Sequence, residues 1–440
     1  MQTQTKIVVL DDDPTGSQTV HSCLLLTRWD VATLVEGLRH SSPLFFVLTN
    51  TRGMDAVRAA EVTREVCVNL RDALKELKQQ GIAINPMLVS RSDSTLRGHY
   101  PVETDVINEV LGPFDAHFMV PAFFEGGRFT RDSTHYIVLN GKPTPVHETE
   151  FARDSVFGYQ NSYLPAYVEE KTKGKIKADN VARFVLKDVR GHVMQRLLAL
   201  KNNQCCVVDS ENQQDLNHFS EQLTRAAAQG KRFLFRSAAS LLTALAKLPA
   251  QPKPAEAMKD YVRNGRAGAV VVGSHVKKTT EQLGQLLRQN NIVPVEVNVE
   301  RIATERPLML DEIIKATQVA HQDLKTPVIY TTRVEKQFAT QADRLAFGEA
   351  VSAFLMDVVR NLPQTLGYLI SKGGITSNDV LSSGLALKKS EVLGQILPGC
   401  SVVRCPQDHP RYPQMPVVIF PGNVGDEQAL ATAYHRLSSL

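Results

Sequence analysis

The sequence predicts an α/β protein of two domains, each a mainly parallel sheet covered by helices, with a ligand cleft between them. Three observations carry this. Short apolar runs rich in Val, Ile, Leu and Phe recur along all 440 residues, separated by longer amphipathic stretches. The runs are continuous rather than alternating, as in strands buried on both faces of a parallel sheet. A cluster of prolines, Pro249, Pro252 and Pro254, falls in residues 248–257 and breaks the rhythm once. Proline fixes φ and removes a backbone donor, which suits a linker. The expected domains are therefore residues 1–250 and 258–440, and the length agrees with two cores rather than one.

In the first half the predicted strands are residues 6–10, 44–48, 86–89, 117–120, 205–208 and 232–235. Residues 55–79 carry apolar side chains at helical spacing. The second half repeats the pattern with strands at 269–272, 293–297, 327–330, 367–370, 401–403 and 416–420. Helices are expected from Thr279 and over residues 427–437. Residues 126–165 show little periodicity and read as a long irregular region, which in a compact domain is usually functional.

Composition narrows the classes of function. Hydrophobic residues make up 43% and charged residues 22%, a balance of globular proteins. A net charge of +4 without a run of Lys and Arg argues against nucleic acid as a partner. No apolar stretch approaches the ~18 residues of a membrane span. Residues 7–10 run straight into Asp11, Asp12 and Asp13, too short for a secretory core. A cytoplasmic location is expected, with the six cysteines as reduced thiols because none forms a C-x-x-C pair. His99, His117, His135 and His147 lack metal-ligand spacing, so no metal ligands are named.

Ligands of open α/β sheets bind beyond the carboxyl ends of strands. Three ends in the first half are rich in polar groups: Asp11-Asp12-Asp13-Pro14-Thr15-Gly16, Thr49-Asn50-Thr51-Arg52, and Ser90-Arg91-Ser92-Asp93-Ser94-Thr95-Leu96-Arg97-Gly98. Arginine grips a carboxylate through two parallel bonds, and Asp and Ser pair with hydroxyls. Arg91 and Arg97 are candidate carboxylate clamps, with Arg52 beside them. Asp12, Asp13, Asp93 and Ser94 are candidates for hydroxyls, and Asp12 or Asp93 for accepting a proton. The competing reading makes Arg91 and Arg97 structural partners of Asp93 and the acidic turn a helix cap.

The second half differs: its strand ends carry glycine. They are Gly273-Ser274-His275, Ser371-Lys372-Gly373-Gly374-Ile375-Thr376, and Pro421-Gly422-Asn423-Val424-Gly425-Asp426. Glycine lets backbone approach a phosphate, and a following helix offers free N–H groups. Together the three turns point to a nucleotide cradle. Residues 273–279 lack the second glycine of a Walker loop, because Lys277 takes its place, and no G-x-G-x-x-G follows the first strand.

These pieces resemble the four-carbon acid sugar (tetronate) kinases. The matching stretches, in the family's order, are Asp12-Asp13-Pro14-Thr15-Gly16, Asp93-Ser94-Thr95-Leu96-Arg97-Gly98, Gly273-Ser274, Gly373-Gly374-Ile375-Thr376-Ser377 and Gly422-Asn423-Val424-Gly425. The resemblance implies a sugar-acid-binding N-terminal domain, an ATP-binding C-terminal domain, and γ-phosphoryl transfer to a terminal hydroxyl. It implies ATP contacts at Ser274, Gly373, Gly374, Ile375, Thr376 and Gly422, with Asn423 and Gly425 in the same turn, and substrate contacts at Asp12, Arg91 and Asp93. Arg91 stands where related members often have Lys, Ile375 where many have Glu, and Asp426 where several have Ser; His99 and Tyr100 also depart from the family pattern. These departures leave the identity of the acid open.

The expected partners are thus a small sugar acid and ATP with Mg²⁺, and a homodimer remains open. The competing functions are a non-catalytic sugar-acid sensor, a kinase of a longer or shorter aldonate, and an oxidoreductase or aldolase, for which neither a dinucleotide fingerprint nor a Schiff-base lysine is identifiable.

Overall fold

The computed structural model describes residues 4–333, 338 and 340–438. The chain divides into two compact units, Met1–Pro249 and Ala250–Leu440.

In the first unit the strands are β1 (Gln4–Asp11), β2 (Cys23–Leu26), β3 (Leu44–Leu48), β4 (Ile84–Arg91), β5 (Ala116–Val120), β6 (Arg128–Arg131), β7 (Thr134–Leu139), β8 (Lys142–Pro145), β9 (Ala182–Phe184), β10 (Gln204–Val208) and β11 (Phe233–Ser237). Eight of them form a parallel sheet in the order β2-β3-β1-β4-β11-β5-β10-β9. Every residue of β3 is buried, the burial that a continuous apolar run requires when helices cover both faces. The helix Ala56–Gln79 starts where the Asp55 carboxylate accepts from the amides of Val57 and Arg58. It buries Ala59, Val62, Val66, Leu70, Ala73 and Leu77, one stripe at three- and four-residue spacing. Val66, Leu70, Ala73 and Leu77 pack with Val8, Phe45, Leu88 and Leu234 in one core, each large apolar side chain contributing about 1.5–3 kcal/mol.

The region expected to be irregular is built. Strands β6, β7 and β8 form an antiparallel sheet of their own, followed by short turns and the helix Leu164–Lys171. Its core residues Ile137, Val146, Tyr159, Leu164 and Tyr167 pack with Leu96, Met119 and Val207, so the insertion is seated on the parallel sheet. Alternating, partly exposed strands such as β7 carry too weak a pattern to be read beside the buried runs.

The second unit contains β12 (Ala269–Val272), β13 (Ile292–Val297), β14 (Thr326–Thr331), β15 (Leu369–Lys372), β16 (Lys389–Leu397), β17 (Cys400–Arg404) and β18 (Pro416–Phe420). Their order is β13-β14-β12-β15-β18-β17-β16, parallel from β13 to β18 and antiparallel through β17 and β16. β15 lies two residues later than the predicted 367–370, which makes Lys372 its last residue and Gly373 the first of the turn.

Among the described residues no helix is long and apolar enough to cross a membrane. The six cysteines are buried free thiols.

Candidate functional site

In the first unit the sheet order places β3, β1, β4 and β11 side by side, and their registers end together. Asp11 pairs with Leu48 and Arg91, and Arg91 with Ser237. The three polar segments predicted from the sequence therefore meet, joined by a fourth strand end, that of β11, which extends to Ser237.

The carboxylates and guanidiniums interleave. Arg52 reaches both oxygens of Asp12, with Nη2 at 2.6 Å from Oδ1 and Nε at 3.2 Å from Oδ2. Its Nη1 lies 3.3 Å from Asp13 Oδ2. Arg97 donates through Nε to Asp93 Oδ2 at 2.7 Å, and Thr95 Oγ1 donates to the same carboxylate. Arg91 sits behind them, its Nη1 at 3.5 Å from Asp11 and 3.7 Å from Asp12. On the far side Arg236 donates to Ser90 Oγ at 2.7 Å and pairs with Glu103, which also accepts from Thr51 Oγ1 at 2.6 Å.

Burial sorts these groups. Asp11, Asp12 and Arg91 are almost wholly enclosed, whereas the side chains of Asp13 (19% exposed), Arg52 (18%), Asp93 (13%) and Arg97 (25%) form the accessible lip. Burial raises Asp11 to about 8 despite the neighbouring Arg91. It also raises Asp12 above the usual carboxylate range, with Arg52 opposing. Burial acts on Asp93 too, but Arg97, Arg52 and the Thr95 hydroxyl overcome it and hold Asp93 well below that range. Asp13 is likewise lowered, because Arg52 and Arg91 outweigh its burial. Beside the raised Asp11, four carboxyl groups (Asp12, Asp13, Asp93, Glu103) interleave with four guanidiniums (Arg52, Arg91, Arg97, Arg236). A patch so balanced can exchange internal partners for the carboxylate and hydroxyls of a small polyol acid.

Arg97, a candidate clamp with an ion pair to Asp93 as its competing reading, is paired with Asp93 and lies 3.6 Å from Asp154. Arg91 keeps Nε and Nη1 without a hydrogen-bond partner among the described residues, and so do Asp11 Oδ2 and Ser237 Oγ. These orphans occupy neighbouring register positions on β1, β4 and β11. Ser94 is buried at the same loop. Asp11 stood in the polar strand end without a role of its own, and Glu103, Arg236 and Ser237 were not foreseen. Arg236 and Ser237 were within reach of the strand-end rule, because β11 runs two residues beyond the predicted 232–235; Glu103, on the helix Val102–Leu111, gave no signal.

In the second unit β12, β15 and β18 are adjacent and end level, Val272 opposite Lys372 and Lys372 opposite Phe420. The three glycine turns thus lie next to one another, uniting Ser274, Gly373, Gly374, Ile375, Thr376, Gly422, Asn423 and Gly425. Gly373 has φ +118°, so a side chain there would strain the backbone, and its Cβ would crowd Ser274 Cβ at 3.0 Å. Thr279 Oγ1 donates to the Gly422 carbonyl at 3.1 Å, and Gln282 Nε2 to the carbonyls of Val424 and Asp426. Lys372, wholly buried, donates to the carbonyls of Pro421 (2.5 Å) and Gly422 (3.1 Å) and lies over the Phe420 ring; burial lowers it to about 7. Ile375 is 74% exposed beside these turns.

Residues 7–245 match the family model described as a sugar-binding N-terminal domain, and residues 269–430 match that of a nucleotide-binding C-terminal domain. The chain belongs to the four-carbon acid sugar kinase family. A family relative, the D-erythronate kinase of Heliobacterium modesticaldum, is 25% identical over 98% of this chain and 97% of its own length. The fold is shared with a solved protein of Salmonella typhimurium LT2 (TM-score 0.68, 19% identity, 97% of this chain and 98% of that one). It is shared also with a solved Haemophilus influenzae protein (TM-score 0.63, 17% identity, 98% of this chain and 100% of that one).

Proposed function

We propose that the protein is an ATP-dependent kinase that transfers the γ-phosphoryl group to the terminal hydroxyl of a four-carbon sugar acid such as a threonate or erythronate, giving the 4-phosphate and ADP. The observation that carries this is the chemical contrast between the two strand-end sites. The first unit holds interleaved carboxylates and guanidiniums suited to a hydroxylated anion, the second three aligned glycine turns suited to phosphates. Similarity to a D-erythronate kinase supports the same reading.

In the first unit Arg52, Arg91 and Arg97 receive the acid's carboxylate, and Asp13, Asp93 and Ser94 its hydroxyls. Asp12 orients the attacking hydroxyl and accepts its proton. Of the two candidate bases Asp12 is the better, because its carboxylate is raised by burial while Asp93 is depressed by its arginines. In the second unit Ser274 and the turns at Gly373–Thr376 and Gly422–Gly425 surround the nucleotide. The cradle fits such a ligand, since Gly373 takes a backbone conformation that favours glycine and Lys372 holds the following turn through the carbonyls of Pro421 and Gly422. The described residues contain no group of three or more His, Cys, Asp or Glu arranged for a metal ion. Mg²⁺ carried on the phosphates of ATP would supply charge neutralisation there. The chain contributes positioning and electrostatics, which dominate phosphoryl transfer.

The test is coupled ADP release with threonate, erythronate, 3-oxotetronates, glycerate and longer aldonates. Turnover concentrated on the four-carbon acids is expected. Acid binding without ADP formation would instead mark a sensor, and a preference for a longer or shorter acid would move the substrate within the same chemistry.

A further inference from the structure

The inserted segment between β5 and β9 addresses the loop that carries Asp93 and Arg97. Three consecutive carbonyls of that loop each receive a bond from one of its side chains. His135 Nε2 lies 2.8 Å from the Ser94 carbonyl, Tyr159 Oη donates to that of Thr95 at 2.7 Å, and Tyr167 Oη to that of Leu96 at 2.7 Å. A carbonyl only accepts, so His135 carries its proton on Nε2, and Nδ1 accepts from Thr130 Oγ1 at 2.9 Å. Burial lowers His135 to about 4, so this donor stays neutral and in place at physiological pH. Tyr159 and Tyr167 meet edge to face at 5.6 Å, locking each other's hydroxyls. The segment also reaches the Arg97 head, with Asp154 at 3.6 Å and the Phe151 ring at 5.1 Å.

The braced loop needs holding. Leu96 has φ +66°, a left-handed conformation costly for a branched side chain. A backbone in such a conformation persists only when its surroundings over-determine it. Three buried donors on three successive carbonyls do that. Tyr167 adds a second contact, lining a small recess with Ser92, Asp93, Arg97, Arg236 and Ser237. The insertion thus fixes Asp93 and Arg97 from behind while their functional ends face the recess.

We propose that His135, Tyr159 and Tyr167 are positioning residues that set the geometry of Asp93 and Arg97 for the sugar acid, making the inserted segment 128–171 a specificity brace rather than a lid. This rests on the kinase reading above. Isosteric loss of one hydroxyl leaves the packing intact but releases one carbonyl, so the effect should fall on one substrate alone.

The variants are Tyr159→Phe, Tyr167→Phe, their combination, and His135→Ala beside His135→Gln, which restores a donor. The measurements are kcat and KM for the sugar acid and for ATP, together with amide hydrogen exchange of residues 93–98. Each Tyr→Phe change should lower kcat/KM for the acid about 5–10-fold, in line with one lost hydrogen bond. KM for ATP should stay within about twofold, as expected when the nucleotide turns are untouched. Exchange across 93–98 should quicken, and His135→Gln should recover most of what His135→Ala loses. The brace is overturned if apparent kcat falls while both KM values and the exchange of residues 93–98 stay unchanged, the mark of a smaller active fraction. It is overturned equally if an active wild type yields variants with unchanged acid kinetics. A wild type that forms no ADP from any acid removes the kinase reading instead, and the exchange rates then still decide whether the segment holds the loop.

Discussion

Replacing Gly98 with alanine tests whether the acid site is assembled as described. Gly98 has φ +113°, a region that only glycine occupies readily, and an added Cβ would lie 2.8 Å from Arg236 Nη2, 2.8 Å from Ser92 Oγ and 3.0 Å from Asp12 Oδ2. Backbone strain at such a position costs about 1–3 kcal/mol. Forcing a methyl into packed surroundings adds about 1–3 kcal/mol. The expected loss is therefore about 2–6 kcal/mol, a large share of the ~5–15 kcal/mol that stabilises a typical fold. Because the displaced atoms belong to Asp12 and Arg236, kcat/KM for the sugar acid should drop on the order of 10²-fold as geometry is lost. Gly284→Ala is the control, since Gly284 lies inside the helix Lys277–Leu286 with nothing within 4 Å of the new methyl. That change should stabilise by about 0.5–1 kcal/mol. Urea unfolding and steady-state kinetics on both variants measure the contrast. A Gly98→Ala protein as stable and active as wild type would refute the arrangement of Asp12, Ser92 and Arg236 around this loop.

Asp12→Asn should reduce turnover by about 10²–10⁴ while KM for ATP holds, as loss of a positioned base predicts; steady-state kinetics against both substrates decide it. Burial pushes Asp11 up to about 8 from the ordinary 3.8 of an aspartate, so the fold keeps a proton that the unfolded chain has already released. Its contribution to stability is therefore full below about pH 4 and declines until about pH 8, with a slope of at most ~1.4 kcal/mol per pH unit. Asp11→Asn should accordingly gain on wild type as pH climbs through this window, and a difference in unfolding free energy that stays flat between pH 5 and 8 would contradict it. Lys372→Met strips the donor from two carbonyls of the Gly422 turn. Titration with a nucleotide analogue should show affinity about tenfold weaker, given ~1–3 kcal/mol per unsatisfied group, with acid binding unchanged.

The local chemistry was legible in the chain. Residues 44–48, 269–272 and 416–420 are strands as their apolar runs require, because a continuous run of Val, Leu, Ile and Phe has nowhere to go but a sheet covered on both faces. Asp55 caps its helix for the reason any aspartate does at that position. The polar and glycine-rich segments after those strands were also visible, since charge and glycine at strand ends are properties of single positions.

Tertiary structure alone decided which strand ends are neighbours. The order β3-β1-β4-β11 brings Arg236 and Ser237 beside Arg91 across more than a hundred residues of chain, a pairing set by burial of whole elements and not written in any local pattern. The same holds for partners. Arg97 lies on Asp93 and near Asp154, and Arg52 bridges Asp12 and Asp13, because a guanidinium takes whichever carboxylate packing delivers to it. Most of all, the insertion whose strands are too exposed to register as apolar runs turns out to face the Asp93 loop. Its three donors are ordinary His and Tyr residues, given a role only by the carbonyls that folding sets opposite them.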